Sequence, residues 1–537
     1  MQKRNLSTRP LFALGVLASS VFLASTLSTL TSIFVSTPTA LANNAEGNYS
    51  FPGRAEDLKS GEYWSVSKKI HSESGAQKLG YDMGVIRFDA GSKHWTANKV
   101  DTNGSENAHR LIYGKPVYAV ADGEVVKCWR NAPENPRPGE SHPGRASNPK
   151  TIGGGGNALW VDVGNGETIL YAHFKPGTIP TSVCPISKQF MTDASNDSEA
   201  TLSPGNRPKL KRGQFIGEAG NSGASSGPHL HIHKSKGNTP LPLSFESAWT
   251  KSTQKQEDSV QDWTRLTNAP LPAGPIAILP NYSKSLAEIA RHGVPASAYQ
   301  FTFDRITGSG YRPAWIDGYN VNGKTYFNTV FRPADTTPWV AKYGLTASQY
   351  QTEFNQRIPQ GFVPEQVESY LDGNNIRYAA IFVKKGGPAF KADRGKTAEE
   401  HQKLFDSYTK EGFIPVNISV VSVGGQRYYT TLYEKVNVGS FEARSFLTVS
   451  EYQSESDQNK AAGRQLVYLN AYTHGGGVRF SAIWQSGVSG AFVARHGLSG
   501  SEYQAEWNKL SNQDYLTPLV TGYEDGNSAN FAAVWRK

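Results

Sequence analysis

The run Gly227-Pro228-His229-Leu230-His231-Ile232-His233 sets three imidazoles at alternate positions. Side chains alternate faces along an extended strand, so His229, His231 and His233 share one face. Imidazole is the commonest biological metal ligand and the usual general base near neutral pH. A Gly/Ser-rich run over 220–227 precedes the triplet and reads as the turn that delivers it. The chemistry in view is metal-assisted hydrolysis with an imidazole base.

The elements around this strand must hold it in place. Pro116–Ala121 and Glu124–Trp129, joined by Asp122-Gly123, predict a β-hairpin. Ala158–Val163 and Thr168–His173, joined by Gly164-Asn165-Gly166, predict a second. Two polar insertions, 131–155 and about 176–208, read as surface loops able to wall a groove. Cys128 and Cys184 are the only cysteines. In an exported chain they read as one disulfide between two insert-bearing regions, or as two unrelated buried thiols.

Export is the expectation from the first 42 residues. Lys3, Arg4 and Arg9 precede an apolar stretch from Leu11 to about Val35, and Ala40-Leu41-Ala42 offers a cleavage site. An uncleaved membrane anchor is the other reading of that stretch. No later apolar run is long enough to span a bilayer. Without the signal's three basic residues the formal charge falls from +9 to about +6, a mild excess compatible with an anionic wall. No Lys/Arg cluster argues for nucleic acid. The chain of 537 residues exceeds a single domain. It divides into a signal (1–42), a leader (43–60), a first domain (61–250), a Pro/Ala-rich linker (251–285) and a repeat region (286–537).

The repeat region betrays itself by self-alignment. Gly310-Tyr311-Arg312-Pro313 recurs as Gly361-Phe362-Val363-Pro364 and Gly412-Phe413-Ile414-Pro415, each 51 residues on. The same offset links Tyr299, Tyr350, His401, Tyr452 and Tyr503. Each unit reads as an α+β hairpin-helix module. Thr346/Gln349, Thr397/Glu400, Thr448/Glu451 and Ser499/Glu502 have capping-box spacing. Gly310, Gly361, Gly412 and Gly463 stand where left-handed helix caps belong. The first helix is expected near 296–308 and the last hairpin near 514–537. The two should pack together, closing the array. Most repeat aromatics read as core, and a minority on loops could stack on sugars or peptides.

Four motifs in order, Val117–Val125, Tyr171-Ala172-His173, Gly213–Gly223 and Gly227–His231, resemble those of lysostaphin-type zinc endopeptidases, which cleave peptide crosslinks in bacterial peptidoglycan. The resemblance covers 80–235 and implies a mainly antiparallel β domain with an open groove. It implies His231 as a zinc ligand and His173 and His229 as catalytic histidines. The family's remaining two ligands come from a His-x-Gly-x-Asp segment. Here Asp82 replaces the histidine and Ile86 the aspartate. Asp82 can ligate through oxygen, and it can equally be a turn-capping or solvated carboxylate. Ile86 cannot ligate. His233, Asp89, His94 and His109 are the candidates for a third donor, and the sequence does not choose among them. The repeats resemble a bacterial tandem repeat also found beside the serine-hydrolase domain of fungal polyglycine hydrolases. The shared features are Ala341–Thr346 and Ala494–Ser499 before the helices. Catalysis within the repeats is not expected, since no Ser/His/Asp set recurs.

Two readings follow. One is an exported zinc endopeptidase that hydrolyses cell-wall peptide crosslinks while the repeats tether it to polymer. The other is a metal-poor, inactive relative that binds wall or regulates another hydrolase. Periplasm, cell surface and medium are all open, as are protein partners.

Overall fold

The computed structural model describes residues 48–67, 71, 72, 74–255 and 257–537. The signal expected over 1–42 lies outside them. Among the described residues no helix is long and apolar enough to cross a membrane.

The first domain is built on one large, mostly antiparallel sheet. The histidine strand, Leu230–Lys236, lies inside it between Tyr81–Asp89 and Glu167–Phe174. Its apolar members, Leu230 and Ile232, are fully buried with Met83, Val85 and Tyr171. Alternation therefore leaves the histidines on the opposite face. The hairpin Asn157–Gly164 with Glu167–Phe174 forms as expected. The Asp122-Gly123 hairpin does not. Pro116–Tyr118 pairs instead with Phe215–Glu218, and Gly123–Trp129 pairs with Asn157–Gly164. Burial of Val117 and Val125 in a common core outweighs the local turn signal. The Cys128–Cys184 disulfide is formed.

The leader and linker do not stand apart from this domain. Asn48–Tyr49 pairs in parallel with Ser244–Ser252. Thr264–Ala269 and Ile276–Pro280 both pair with that same strand, and Ile276–Pro280 also joins Glu62–Val66. The linker reading fails because Ile276–Pro280 is buried along its whole length.

The repeats form five three-stranded sheets with five helices. In each, a short strand leads into the helix, and the hairpin follows. In the first unit these are Ile289–Pro295, Ala296–Gly308, Tyr311–Val321 and Lys324–Pro333. The short strand pairs with the second strand of the following hairpin. It escapes sequence reading because a bulge interrupts its alternation: Gly293, Gly344, Gly395 and Gly497, all at positive φ, sit inside the register shifts. All four capping boxes form, and Pro295 opens the first helix without one. Gly310, Gly361, Gly412 and Gly463 have positive φ after their helices.

The first strands of the five hairpins pack side by side around a centre, and Tyr311–Val321 meets Leu516–Asp525 of the last unit. The array is a closed ring. Small residues permit this approach: a Cβ on Gly318 would sit 2.4 Å from the Tyr370 ring, and one on Gly522 would sit 2.5 Å from the Tyr319 ring. Phe301 of the first helix docks on Trp249 and Trp263 of the preceding domain, with ring centroids 5.1 and 5.7 Å away.

Candidate metal centre

His231 is directly opposite Asp82 in the antiparallel pair of Leu230–Lys236 with Tyr81–Asp89. That register brings the Asp82 carboxylate to the imidazole: His231 Nδ1 lies 2.9 Å from Asp82 Oδ1. Two more imidazoles converge on the same oxygen. His71 Nε2 is 3.3 Å away and His229 Nε2 is 3.4 Å away. Burial works to raise the Asp82 pKa, and the three imidazoles His229, His231 and His71 reverse it, holding the carboxyl well below its ordinary range.

His71 is the donor that sequence reasoning missed. It precedes the turn 74–80, whose backbone closes through Lys78 N–H to Gly75 O and Gly80 N–H to Gln77 O. A Cβ on Gly80 would lie 3.0 Å from His233 Cβ and 3.3 Å from His231 Cε1, so glycine lets the turn settle on the histidine strand. The only hint in the sequence is a histidine eleven positions before Asp82, with no spacing rule to connect them. The four residues considered for this role fall elsewhere or behind. Asp89 pairs with Arg87 and accepts from Gly91 and Ser92 N–H. His94 lies opposite Asp89, at the other end of the strand from Asp82. His109 accepts from Glu106 N–H. His233 stands behind His231, its Nδ1 2.8 Å from His231 Nε2. Ile86 pairs with Tyr63 in the neighbouring strand and offers no donor.

The donors of His71, Asp82 and His231 all lie within 4.8 Å of one another. Tetrahedral zinc with bonds near 2.0–2.1 Å needs donors roughly 3.3 Å apart. The two nitrogens and one carboxylate oxygen therefore suit a catalytic zinc site with an open fourth position. His71 Nδ1 is buried and unpartnered. His231 is depressed by burial, with Asp82 opposing, so its ring is neutral and ready to ligate. Burial, with His231 and His71 adding, pushes His233 down to about 3, leaving a neutral ring against His231 Nε2. Such a partner fixes the ligand's ring and tautomer.

His173 and His229 complete the cluster, their rings 4.6 Å apart. His173, next to last in the strand Glu167–Phe174, has φ 69, a left-handed conformation that costs a non-glycine residue about 1–2 kcal/mol. The turn is held by His173 N–H donating to Gly155 O and by the ring Nδ1–H donating to Ser222 O at 2.7 Å. A carbonyl only accepts, so Nε2 keeps its lone pair. Burial first, then His229 and His231, lowers the His173 pKa well below its usual value. His229 Nδ1 donates likewise to Gly227 O at 2.8 Å. His71, His173, His231 and His233 open on a groove of about 460 Å³. Gly154 and Gly155 from one insertion and Asp197 from the other wall it, as expected of those loops.

Among curated proteins no sequence matches this chain. Solved structures do. One is a catalytic domain, carrying one substitution, of the prophage-encoded M23 protein EnpA from Enterococcus faecalis. It is 18% identical, covers 34% of this chain and 85% of that one, and has a TM-score of 0.16. Another is a zinc-containing peptidase from Vibrio cholerae, 17% identical over 30% of this chain and 48% of that one, with a TM-score of 0.14. A family model described as a polyglycine hydrolase-like structural repeat matches 285–334, 336–385, 387–436, 438–487 and 489–537. Residues 285–537 thus form an array of five polyglycine hydrolase-like structural repeats.

Proposed function

We propose that this protein is an exported zinc endopeptidase that hydrolyses peptide crosslinks of the bacterial cell wall, with the repeat ring tethering it to polymer. The observation that carries this reading is His71, which brings a third donor to Asp82 and His231 where Ile86 brings none. His71, Asp82 and His231 would hold the ion. A divalent ion there supplies a Lewis acid for the scissile carbonyl and lowers the pKa of water. His173, with Nδ1–H committed to Ser222 O, offers Nε2 as the proton acceptor. His229 Nε2 sits on the same side, 3.4 Å from Asp82 Oδ1, as a second positioning group. The groove between the two insertions takes an extended peptide, and tethering raises its local concentration.

Metal analysis of the purified chain, paired with a peptidoglycan digestion assay, tests this. One zinc per chain, lost in both His231→Ala and His71→Ala together with release of peptides, supports the enzyme. No bound metal and no release, with binding to wall material retained, favours the inactive wall-binding protein.

A further inference from the structure

The closed ring buries two carboxylates at its centre, and nothing in the hydrolase reading uses them. Asp317, Glu368, Ser419, Asn470 and Thr521 are successive 51-residue equivalents, one on the first strand of each hairpin. Every one is polar and at most 5% exposed. They face a common centre. Asn470 Nδ2 reaches Glu368 Oε1 at 3.4 Å although the two lie two units apart, a contact open only to side chains directed at the ring axis. Ser419 Oγ donates to the same oxygen. On the other side, Asn328 Nδ2 and Gly522 N–H donate to Asp317 Oδ2 at 2.8 and 2.9 Å.

All these donors are neutral. Among the described residues no lysine, arginine or histidine pairs with Asp317 or Glu368. Two carboxylates out of water cannot both stay charged without a compensating cation. Burial raises both pKa values, and the Asp317 charge adds to the rise at Glu368. A second observation is independent of the acids. Thr430 and Ser481 stand directly opposite Ser419 and Asn470 in their hairpins, and so on the same face. Their hydroxyl oxygens are buried and have no partner, and neither does Glu368 Oε2. Buried polar oxygens call for a partner, and these two hydroxyls share a sheet face with Ser419 and Asn470, the side chains that reach Glu368.

We infer that the axis of the repeat ring is a binding site for a hard divalent cation, calcium in the first instance, held by Asp317 and Glu368 with the Thr430 and Ser481 hydroxyls. The donors are all oxygen, which suits calcium or magnesium and disfavours a soft metal. Calcium accepts irregular oxygen shells, and the five units differ in the residue each presents. The ion would join units one, two, three and four through the axis and so lock the ring. This site is separate from the histidine cluster and stands whether or not that cluster is catalytic.

The test uses the full chain carrying His231→Ala, stripped with chelator, so that the histidine cluster does not compete. Calcium is titrated against the thermal unfolding of the array, and terbium is used as a luminescent substitute. Trp315 and Tyr468, ring centroids 6.0 Å apart, sit two residues from Asp317 and Asn470 and provide sensitisers. Expected are one equivalent of calcium, an upward shift in melting temperature, and indole-sensitised terbium emission displaced by calcium. The pair Asp317→Asn and Glu368→Gln should abolish all three while melting no lower than the stripped parent. A flat titration with calcium and with magnesium overturns the proposal, as does unchanged binding in the double variant. Should that variant fail to fold, Thr430→Val with Ser481→Ala must weaken terbium emission, and undiminished emission overturns the site.

Discussion

Glu288 and Thr517, 229 residues apart, are joined twice: the Thr517 N–H and the Thr517 hydroxyl both donate to the Glu288 carboxylate, at 2.8 and 2.9 Å. Glu288 sits just before the first strand of the first unit, and Thr517 begins the hairpin of the last. Arg332 of the first unit and Trp507 Nε1 of the last helix bind the same carboxylate. The ring closes on this clasp.

Removing the carboxylate should open it. In Glu288→Ala the buried Thr517 N–H loses its acceptor and Arg332 loses its ion-pair partner. The expected loss is about 3 kcal/mol. Denaturant unfolding followed by tryptophan fluorescence measures it. Stability within 0.5 kcal/mol of the parent, about the range of an ordinary surface substitution, would count against the clasp.

His233 should matter to metal binding without touching the ion. It positions His231 through Nε2, and loss of such a partner typically costs 10–100-fold in metal affinity. His233→Phe keeps the bulk of the ring and removes the hydrogen bond. Competition with a chromogenic chelator should show weaker zinc binding of that order, with the far-UV spectrum unchanged. Parental affinity in His233→Phe would reduce His233 to packing.

His401 predicts an acid sensitivity that one substitution should reduce. It fills the place of Tyr299, Tyr350, Tyr452 and Tyr503, stacked on Tyr429 at 4.3 Å. Burial, and then Arg427, holds its pKa down to about 4. The unfolded imidazole titrates near 6.5, so between these values the unfolded chain binds the extra proton. This stability is fully present above pH 6.5 and is lost as pH falls towards 4, by up to about 3 kcal/mol. His401→Tyr should flatten that part of the profile, measured by urea unfolding at pH 7 and pH 4.5. Parallel profiles for parent and variant would refute it.

The disulfide should stabilise the first domain. Cys128 and Cys184 are 56 residues apart, a loop whose closure is worth about 4 kcal/mol in the chain-entropy account. Cys128→Ser with Cys184→Ser should lower the melting transition of that domain and leave the array's transition in place. Equal loss from both transitions would tie the bridge to the whole molecule instead.

Features with a local signature were legible in the sequence. The alternation of His229, His231 and His233, the capping boxes, the 51-residue period and the ring closure all follow from short-range pattern or from counting. Features set by long-range packing were not. His71 reaches Asp82 only because Gly80 lets a turn lie on the histidine strand. Pro116–Tyr118 leaves its neighbour for Phe215–Glu218. Ile276–Pro280 looks like linker beside so many prolines, yet burial makes it a strand. The short strand of each repeat is hidden by the bulge that bends it, a glycine bulge in four of the five.

A solenoid with open ends grows or shrinks by whole modules and keeps its fold. Here the first and last units are clasped by Glu288 and Thr517, whose places in the other units are taken by other residue types, so an added or a missing module would have to break that clasp and rebuild it. The copy number of this protein is thus a structural constant, and errors of duplication that an open array would survive should be lethal to its fold.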